Sequence, residues 1–467
     1  MHSEKPNILF LFTDDQRFDT VNSLGNPCVH TPAMDRIAAR GTAFTRAHIP
    51  GGTSAAICMP SRAMLHTGRT LFHLDGAGED IPRDHVLMGE HLQRCGYRTW
   101  GTGKWHNGVS SFARSFSDGA EIFYGGMDDH WNVPVFDYDP QGRYEGTLPQ
   151  CPDAFHSNAL NVRRGDRVSA GRHSSELFGE CAADWLESYE GTDPFFMYVS
   201  FMAPHDPRTM PQAYLDLYDP ERIPLPGNFQ GGHPFDNGDL KVRDEVLEDF
   251  PRDPFKVRRH IAEYYGMITH LDAQMGRILD VLDARGMTDN TIVVFAGDNG
   301  LAVGQHGLFG KQNMYEHSVR VPLMFAGPGI PRGVRRSSYA YLLDIFPSLC
   351  ELAGIDTPES VEGTSLASAM ADPGVRPRAS LYAAYQQWQR MVKDDRFKLI
   401  EYVVDGRRTT QLFDLERDPS ECRNLADDPS EQDRLRALRD LLFQWRDDWD
   451  DARSPWGKAF WDGYGAH

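Results

Sequence analysis

Short runs that are apolar almost throughout recur along the first three-quarters of the chain, and they restrict its fold more than any other feature. Each is bounded by polar residues, glycine or proline. The runs are Asn7–Thr13, Arg98–Gly101, Pro194–Phe201, Thr291–Ala296 and Val321–Ala326. Strands that are buried on both faces lack the usual alternation of polar and apolar residues, so these runs predict central strands of a parallel sheet.

Amphipathic helical patterns lie between the runs. The clearest spans about Val257 to Ala284, where large apolar side chains recur at three- and four-residue steps, and Gly286 marks its end. Strands alternating with helices predict a doubly wound α/β domain with a mostly parallel central sheet flanked by helices. Two long stretches, Asn107–Asp184 and Pro207–Pro254, break this rhythm. We expect these insertions to shape a binding site.

The last part of the chain is organised differently. At 467 residues the chain is long enough for one large domain and a smaller one. The composition changes near Asp372–Arg378, which predicts an α/β domain over residues 1–375 and a smaller C-terminal α+β subdomain over residues 376–467. The predicted antiparallel strands and terminal helix of this subdomain are Met391–Asp394, Phe397–Val403, Gln411–Asp414 and Glu431–Trp449.

Charge and hydropathy exclude two classes of partner. The formal charge of −19 opposes a phosphate backbone, so we expect no nucleic-acid partner. No apolar run is long enough to span a bilayer, so we expect no membrane partner. The first run, Asn7–Thr13, is also too short for the core of a signal peptide. The sequence as given therefore predicts a cytoplasmic protein, or a periplasmic one if a leader has been removed, and leaves the oligomeric state open.

The cysteines are dispersed, and none forms a C-x-x-C pair. This spacing favours reduced thiols over a disulfide framework. Because free cysteine is commonly buried, we interpret six of the seven as packing residues. These six are Cys28, Cys95, Cys151, Cys181, Cys350 and Cys422.

Polar side chains follow four of the predicted strands. Strand by strand they are Asp14 and Asp15, then Lys104 and His106, then His205, then Asp298 and Asn299. In open α/β sheets ligands bind outside the carboxyl ends of the strands, so we expect these side chains to converge at one edge.

Two adjacent pairs in this set, Asp14–Asp15 and Asp298–Asn299, offer only oxygen ligands. Hard oxygen donors without Cys or His favour Ca²⁺ or Mg²⁺ over zinc. Crowded carboxylates repel one another, so we expect the metal to stabilise these loops as well. The alternative interpretation is that Asp14 and Asp298 cap helices, as Asp often does.

The segment Cys58–Arg69, CMPSRAMLHTGR, predicts a short helix that begins just after Cys58. Pro60 suits its first position and Gly68 its end. Free N–H groups and the helix dipole favour an anion at the start of such a helix. Arg62 can add a charge-assisted fork to a tetrahedral oxyanion. We therefore expect the side chain at position 58 to face a bound anion and, if the loops converge, a metal.

The motif Cys58-x-Pro-Ser-Arg62, followed by Thr67-Gly68-Arg69, resembles the signature of the type I, formylglycine-dependent sulfatases of the alkaline-phosphatase-like superfamily. The resemblance covers most of the chain. It continues at Asn7–Asp15, Gly103–His106, Pro204–His205, Gly297–Gly300, and Gly310–Lys311 with Tyr315–Glu316. One departure is Asn107, which stands where a larger apolar residue is common and which concerns the shape of the pocket.

The resemblance implies a sulfuric ester hydrolase in which a maturation enzyme has oxidised Cys58 to formylglycine. The hydrated aldehyde would be the nucleophile. By the same resemblance, one Ca²⁺ ion is held by Asp14, Asp15, Asp298, Asn299 and residue 58. The implied catalytic roles are Arg62 holding the nucleophile, Lys104 and Lys311 contacting sulfate oxygens, His106 as base, and His205 as acid assisted by Lys311.

A small sulfated sugar is the first substrate hypothesis, and an aryl or alkyl sulfate is the second. Asp128–Asn132 mixes an aromatic ring with hydrogen-bonding groups that suit a sugar, and Arg208 is a candidate for an acidic substituent. Two other functions stay open: a phosphonate monoester or phosphodiester hydrolase of the same superfamily, and a non-catalytic sulfoglycan-binding protein if Cys58 is unmodified. We interpret three histidines as structural and leave His306 undecided; the three are His66, His270 and His317.

Overall fold

The computed structural model describes residues 5–465, in which strands and helices alternate as predicted. The strands are β1 (Asn7–Thr13), β2 (Gly41–His48), β3 (Gly51–Gly52), β4 (Arg98–Lys104), β5 (Asp118–Phe123), β6 (Pro134–Val135), β7 (Thr147–Gln150), β8 (Asn161–Arg164), β9 (Arg167–Val168), β10 (Phe195–Ser200), β11 (Thr291–Gly297), β12 (Arg320–Val321), β13 (Leu323–Ala326), β14 (Val334–Tyr341), β15 (Leu381–Tyr385), β16 (Gln389–Lys393), β17 (Phe397–Val404) and β18 (Arg407–Asp414). The α-helices are α1 (Pro32–Arg40), α2 (Cys58–Thr67), α3 (Met88–Arg94), α4 (Val109–Ser115), α5 (Ser174–Ser188), α6 (Gln212–Leu215), α7 (Pro254–Ala284), α8 (Glu316–Val319), α9 (Ile345–Leu352), α10 (Ala367–Ala371), α11 (Gln432–Asp448) and α12 (Pro455–Gly465). None of the helices within residues 5–465 is long and apolar enough to cross a membrane.

The main sheet has nine strands, and its centre is parallel. Strands β11, β1, β10, β4 and β5 lie side by side and all pair in parallel. Four of the five predicted runs supply β1, β4, β10 and β11. These strands are buried almost throughout, as expected when helices cover both faces. The prediction of a doubly wound α/β fold is confirmed.

The central strand β1 divides the core into two layers. Phe10 faces a cluster that includes residues of α2, α3, α4 and α9. Leu9 and Leu11 face a second cluster, which includes residues of α1, α5 and α7. Successive side chains of a strand point to opposite faces, so an uninterrupted apolar sequence fills both layers at once.

The predicted run Val321–Ala326 is not a parallel strand. It is divided into β12 and β13, and β13 pairs antiparallel with β11. After β11 the chain places Asn299 and Lys311 at the carboxyl edge of the sheet and then re-enters the sheet from that edge. It must therefore run in the opposite direction. Pro322, which has no N–H to donate, separates the two pieces.

The insertion over residues 107–184 is not irregular throughout, which corrects the prediction. It contains α4, β5 and most of α5, and the Gly- and Pro-rich part between β5 and α5 holds only short strands. The second insertion, over residues 207–254, is irregular except for α6 and one 3-10 turn. The strands β2 and β14 and the helix α12 were absent from the prediction because their sequences mix polar and apolar residues without a clear period.

The C-terminal sheet has five strands in the order β18-β17-β16-β15-β3. Its fifth strand, β3, belongs to the segment that leads to Cys58. Gly51 has φ 96°, and a Cβ there would lie 2.0 Å from the carbonyl oxygen of Ala384, so only glycine fits. The C-terminal sheet thus holds the backbone segment that precedes Cys58. The boundary between residues 375 and 376 stays a prediction.

The cysteines are all free thiols, as predicted. Cys350 is buried in the core, but Cys28 and Cys422 are exposed. The interpretation of Cys28 and Cys422 as packing residues is therefore wrong. Both lie in loops.

A buried ion pair between Arg390 and Asp451 joins the C-terminal sheet to the end of the chain, and both side chains are 0% exposed. Arg390 Nε and Nη2 lie 2.6 and 3.0 Å from the two carboxylate oxygens. We expect Arg390→Met to lower the free energy of unfolding by about 3–5 kcal/mol, because it leaves the Asp451 carboxylate buried without a counter-charge. Urea denaturation measures this loss.

The matched control is Arg376→Met, which makes the same substitution in an exposed ion pair with Asp395. We expect this control to change the free energy of unfolding by less than about 1 kcal/mol. Equal losses for Arg390→Met and Arg376→Met would contradict the stabilising role of the buried pair.

Candidate active site

The carboxyl ends of the parallel strands bring the predicted site residues together. Asp298, directly after β11, is the residue that connects most of them. Its Oδ1 accepts the N–H groups of Asp15 at 3.0 Å and of Asn299 at 2.8 Å. Its Oδ2 accepts from Arg62 Nε at 2.9 Å. Asp298 therefore holds two loops and the first turn of α2, and the interpretation as a simple helix cap is wrong for it.

Helix α2 begins at Cys58 itself, two residues before the predicted first position Pro60, and Gly68 ends it in the left-handed conformation with φ 65°. Arg62 is fully buried one turn in. Its Nη1 donates to the carbonyl of Lys104 at 2.9 Å and to Ser200 Oγ at 2.7 Å. Its Nη2 has no hydrogen-bond partner and lies 4.0 Å from Asp14 Oδ1. Arg62 thus compensates the carboxylate charge of Asp298.

The two predicted lysines are buried and paired with the first acidic pair. Lys104 Nζ donates to Asp14 and lies 3.6 Å from Cys58 Sγ. Lys311 Nζ donates to Asp15 Oδ1 at 2.6 Å. Together with Arg62, these lysines give each carboxylate of the cluster a cationic partner within the chain. The carboxylates therefore do not depend on a metal alone for compensation.

Lys104 is the last residue of β4 rather than part of the following loop, which corrects the predicted end of that strand. The pairing of β4 with β5 shifts its register between Thr102 and Gly103. Gly103 has φ 84°, and a Cβ there would lie 1.9 Å from the carbonyl oxygen of Ser200. The glycine thus permits the irregularity that precedes Lys104.

The two predicted histidines have pKa values that are shifted in opposite directions. His106 Nδ1 lies 3.3 Å from Cys58 Sγ. Burial and the charge of Lys104 hold the pKa of His106 well below its ordinary value, so this imidazole is neutral. His205 Nε2 lies 3.6 Å from Asp15 Oδ2. Burial lowers the pKa of His205, but the carboxylate of Asp15 outweighs it and the pKa rises to about 9.

Asp15 and His106 have φ values of 61° and 67°. The left-handed conformation is uncommon for residues other than glycine and costs about 1–3 kcal/mol where it is strained. Such residues concentrate at functional sites, where the surrounding structure holds them in place.

The donor set fits a hard divalent cation. Asp14 Oδ1 and Asn299 Oδ1 are buried and lack any hydrogen-bond partner. Oxygen atoms of Asp14 and Asp298 lie with Cys58 Sγ within 4.8 Å of one another. Burial and the Asp14 carboxylate raise the pKa of Asp298 well above its ordinary value. A cation would satisfy the free oxygens and relieve this repulsion.

The segment Asp128–Asn132 contacts the backbone of the site residue His205. His130 is buried, and its ring nitrogens contact Ser174 Oγ at 2.7 Å and the carbonyl of His205 at 2.9 Å. Trp131 packs edge-on against His173. Arg208, a candidate for contact with an acidic substituent, is half-buried and contacts His260 through Nη1 at 2.9 Å.

The remaining histidines lie outside the cluster. His306 stacks on Tyr315 with ring centroids 3.9 Å apart and contacts Asn228, so it orders the loop after Asn299. His66 packs against Trp105.

Two residues that support the site were missed, Ser200 and Asp206, and His130 was predicted as part of a sugar-contacting segment and not as a support for His205. Only Asp206 carried a sequence signal, since it directly follows His205. The others reach the site through tertiary contacts.

Comparison with known proteins agrees with this geometry. The sulfatase family model matches residues 6–355, and the model of the C-terminal region of N-sulphoglucosamine sulphohydrolase matches residues 304–448. The choline-sulfatase of Rhizobium meliloti is 30% identical over 94% of this chain and 87% of its own length. The N-acetylglucosamine-6-O-sulfatase of Bacteroides thetaiotaomicron is 25% identical over 94% of this chain and 86% of its own.

A similar fold occurs in the crystal structure of a phosphonate monoester hydrolase of Agrobacterium radiobacter. The two structures superpose with a TM-score of 0.73 at 20% identity, covering 95% of this chain and 96% of the other. At this identity the likeness shows the fold alone. The family match covers most of the chain and includes every residue of the cluster around Cys58. The chain therefore belongs to the sulfatase family of sulfuric ester hydrolases, in the alkaline-phosphatase-like superfamily.

Proposed function

We propose that this enzyme releases inorganic sulfate from sulfate monoesters, with Cys58 oxidised to formylglycine and one Ca²⁺ ion bound beside it. The observation that carries the proposal is the position of Cys58 Sγ, which faces both Lys104 Nζ and His106 Nδ1 within the carboxylate cluster. Asp14, Asp15, Asp298, Asn299 and residue 58 would hold the cation. When present, formylglycine supplies an oxygen nucleophile and the cation supplies Lewis-acid polarisation.

The chain's own residues supply charge and proton transfer. Lys104 and Lys311 place two buried ammonium groups where negative charge grows on the sulfate oxygens. Arg62 holds Asp298 in place, and its free Nη2 is available to residue 58.

The two histidines suit opposite proton transfers. The neutral His106 can accept a proton at Nδ1 from the group at position 58. His205, whose Nε2 faces the site 3.6 Å from Asp15 Oδ2, can donate one to the leaving oxygen.

A small sulfated sugar is the proposed substrate. The similarity to an N-acetylglucosamine-6-O-sulfatase and to the C-terminal region of an N-sulphoglucosamine sulphohydrolase supports this choice. An alkyl sulfate is the second candidate, supported by the similarity to a choline-sulfatase. The proposal also requires a maturation enzyme that oxidises Cys58.

The alternative is a phosphonate monoester or phosphodiester hydrolase; the Agrobacterium phosphonate monoester hydrolase has a similar fold. Membership in a family of hydrolases argues against the third hypothesis, a binding protein without catalysis.

Esters of one leaving group separate these activities. We expect kcat/KM for 4-nitrophenyl sulfate to exceed that for 4-nitrophenyl phosphate by about 100-fold or more. The phosphate monoester carries a second negative charge, which the three carboxylates Asp14, Asp15 and Asp298 disfavour. Initial rates of 4-nitrophenol release give both constants.

The mono(4-nitrophenyl) ester of phenylphosphonic acid is the charge-matched control, because it carries one negative charge as the sulfate does. A higher kcat/KM for this phosphonate than for the sulfate would replace the proposal with the alternative. Sulfate release from N-acetylglucosamine 6-sulfate and from choline sulfate then ranks the two substrate classes.

A further inference from the structure

The residue that follows His205 contacts its imidazole. His205 Nδ1 lies 2.9 Å from Asp206 Oδ1 and 2.8 Å from the carbonyl oxygen of the same residue. Both groups are buried. No step of the proposed reaction has yet used Asp206.

These two contacts determine which ring nitrogen carries a fixed proton. A carboxylate oxygen and a carbonyl oxygen both accept hydrogen bonds, so Nδ1 must be the donor. Nε2 of His205 is then the nitrogen left to exchange a proton. It is also the nitrogen that faces the site, 3.6 Å from Asp15 Oδ2.

The charge of Asp206 is retained although the side chain is buried. Burial alone would raise the pKa of Asp206, but the hydrogen bond from His205 and the charges of His205, Arg208 and Arg243 hold it below its ordinary value. Arg243 donates to Oδ2, on the opposite side of the carboxylate from the imidazole. The three residues thus form a row, Arg243–Asp206–His205.

The backbone beside this row is also anchored. His130 Nε2 contacts the carbonyl of His205 at 2.9 Å, and His173 Nε2 contacts the carbonyl of Thr209 at 2.9 Å. The loop from His205 to Thr209 is therefore held at both ends without Asp206. The side chain of Asp206 is therefore not needed to anchor this loop.

We propose that Asp206 is a positioning residue for the leaving-group proton transfer: its carboxylate orients the His205 ring and retains the Nδ1 proton, so that Nε2 donates to the leaving oxygen. The inference rests on the proposed function. As the S–O bond breaks, its electron pair passes to the leaving oxygen, which takes the proton from Nε2. The Nδ1 proton stays on the ring, shared with Asp206.

A merely structural ion pair with Arg243 would give a different result from a positioning role. Loss of a structural pair lowers activity on all substrates by one factor. Loss of proton donation lowers activity most where the leaving group is basic, because a stable leaving anion needs little protonation. Phenyl sulfate and 4-nitrophenyl sulfate differ in this respect and little in shape.

For Asp206→Asn, we expect kcat/KM for phenyl sulfate to fall about 100-fold and that for 4-nitrophenyl sulfate to fall less than about 3-fold. The matched control is Asp239→Asn. Asp239 contacts Tyr385, and its loop is held beside Gln312 through Gln389. This control removes a carboxylate near the same site without touching the imidazole, and its factor should be equal on both esters.

Equal factors on the two esters for Asp206→Asn would overturn the inference and leave the proposed function standing. Absence of sulfate release by the wild-type enzyme from both aryl esters, from N-acetylglucosamine 6-sulfate and from choline sulfate would overturn the proposed function and, with it, the inference.

A measurement on the wild-type protein covers the case in which the variant does not fold. With ¹⁵N-labelled histidine, the His205 resonances are assigned by comparison with His205→Gln. We expect a proton on Nδ1. A ring protonated at Nε2 alone would overturn the inference.

Discussion

Replacement of Cys58 by alanine is expected to lower kcat/KM for a sulfate ester by about 10⁴-fold or more, because alanine cannot be oxidised to an aldehyde and no other nucleophile replaces it. The fold should survive. Cys58 is only 2% exposed, but the change removes a single sulfur atom at the start of α2. Steady-state kinetics, with circular dichroism as a check on folding, measures both effects.

The matched control is Cys350→Ala, an equally buried cysteine that packs in the core of the main domain. It creates a cavity of the same size away from the site. We expect this variant to keep wild-type kcat/KM within about 3-fold, with a loss of stability of about 1 kcal/mol. Activity retained by Cys58→Ala would rule out residue 58 as the nucleophile.

Removal of divalent cations is the second large effect. We expect EDTA, followed by desalting, to lower kcat/KM by about 10³-fold, because the unpartnered oxygens of Asp14 and Asn299 are then left without a cation. Added Ca²⁺ should restore activity more fully than Mg²⁺, since the chain offers five oxygen-donor residues to one ion and Mg²⁺ usually keeps several of its waters. Metal analysis of the desalted protein confirms removal.

Removal of the cation should lower the melting temperature only modestly, although it lowers kcat/KM by a large factor. Lys104, Lys311 and Arg62 stay paired with the carboxylates when the cation is gone. The melting temperature should therefore fall only by the amount that binding adds through mass action. A metal-free enzyme with full activity would contradict the assigned ligand set.

The central strands could be predicted from the sequence because burial on both faces leaves a simple pattern. Asn7–Thr13 is the clearest case, and its predicted bounds are those of β1. The pattern says nothing about direction, however. β13 is as apolar as β11, and its antiparallel course depends on where the intervening loop lies.

Site residues could be predicted where they belong to a sequence motif or directly follow a predicted strand. The sequence around Cys58 and the polar residues after β1, β10 and β11 satisfy these conditions. Residues that support the site through contacts distant in sequence show no such pattern. Ser200 holds Arg62, and His130 holds the backbone of His205, through contacts across 138 and 75 residues of sequence.

The central claim is that an oxidised residue at position 58 acts beside a bound cation, and the mass of the peptide containing residue 58 tests it most directly. In enzyme of known specific activity, we predict that this peptide is about 18 Da lighter than its sequence requires, the difference between cysteine and formylglycine. The fraction converted should equal the active fraction from preparation to preparation. Fully active enzyme whose peptide retains an unmodified thiol would contradict the account.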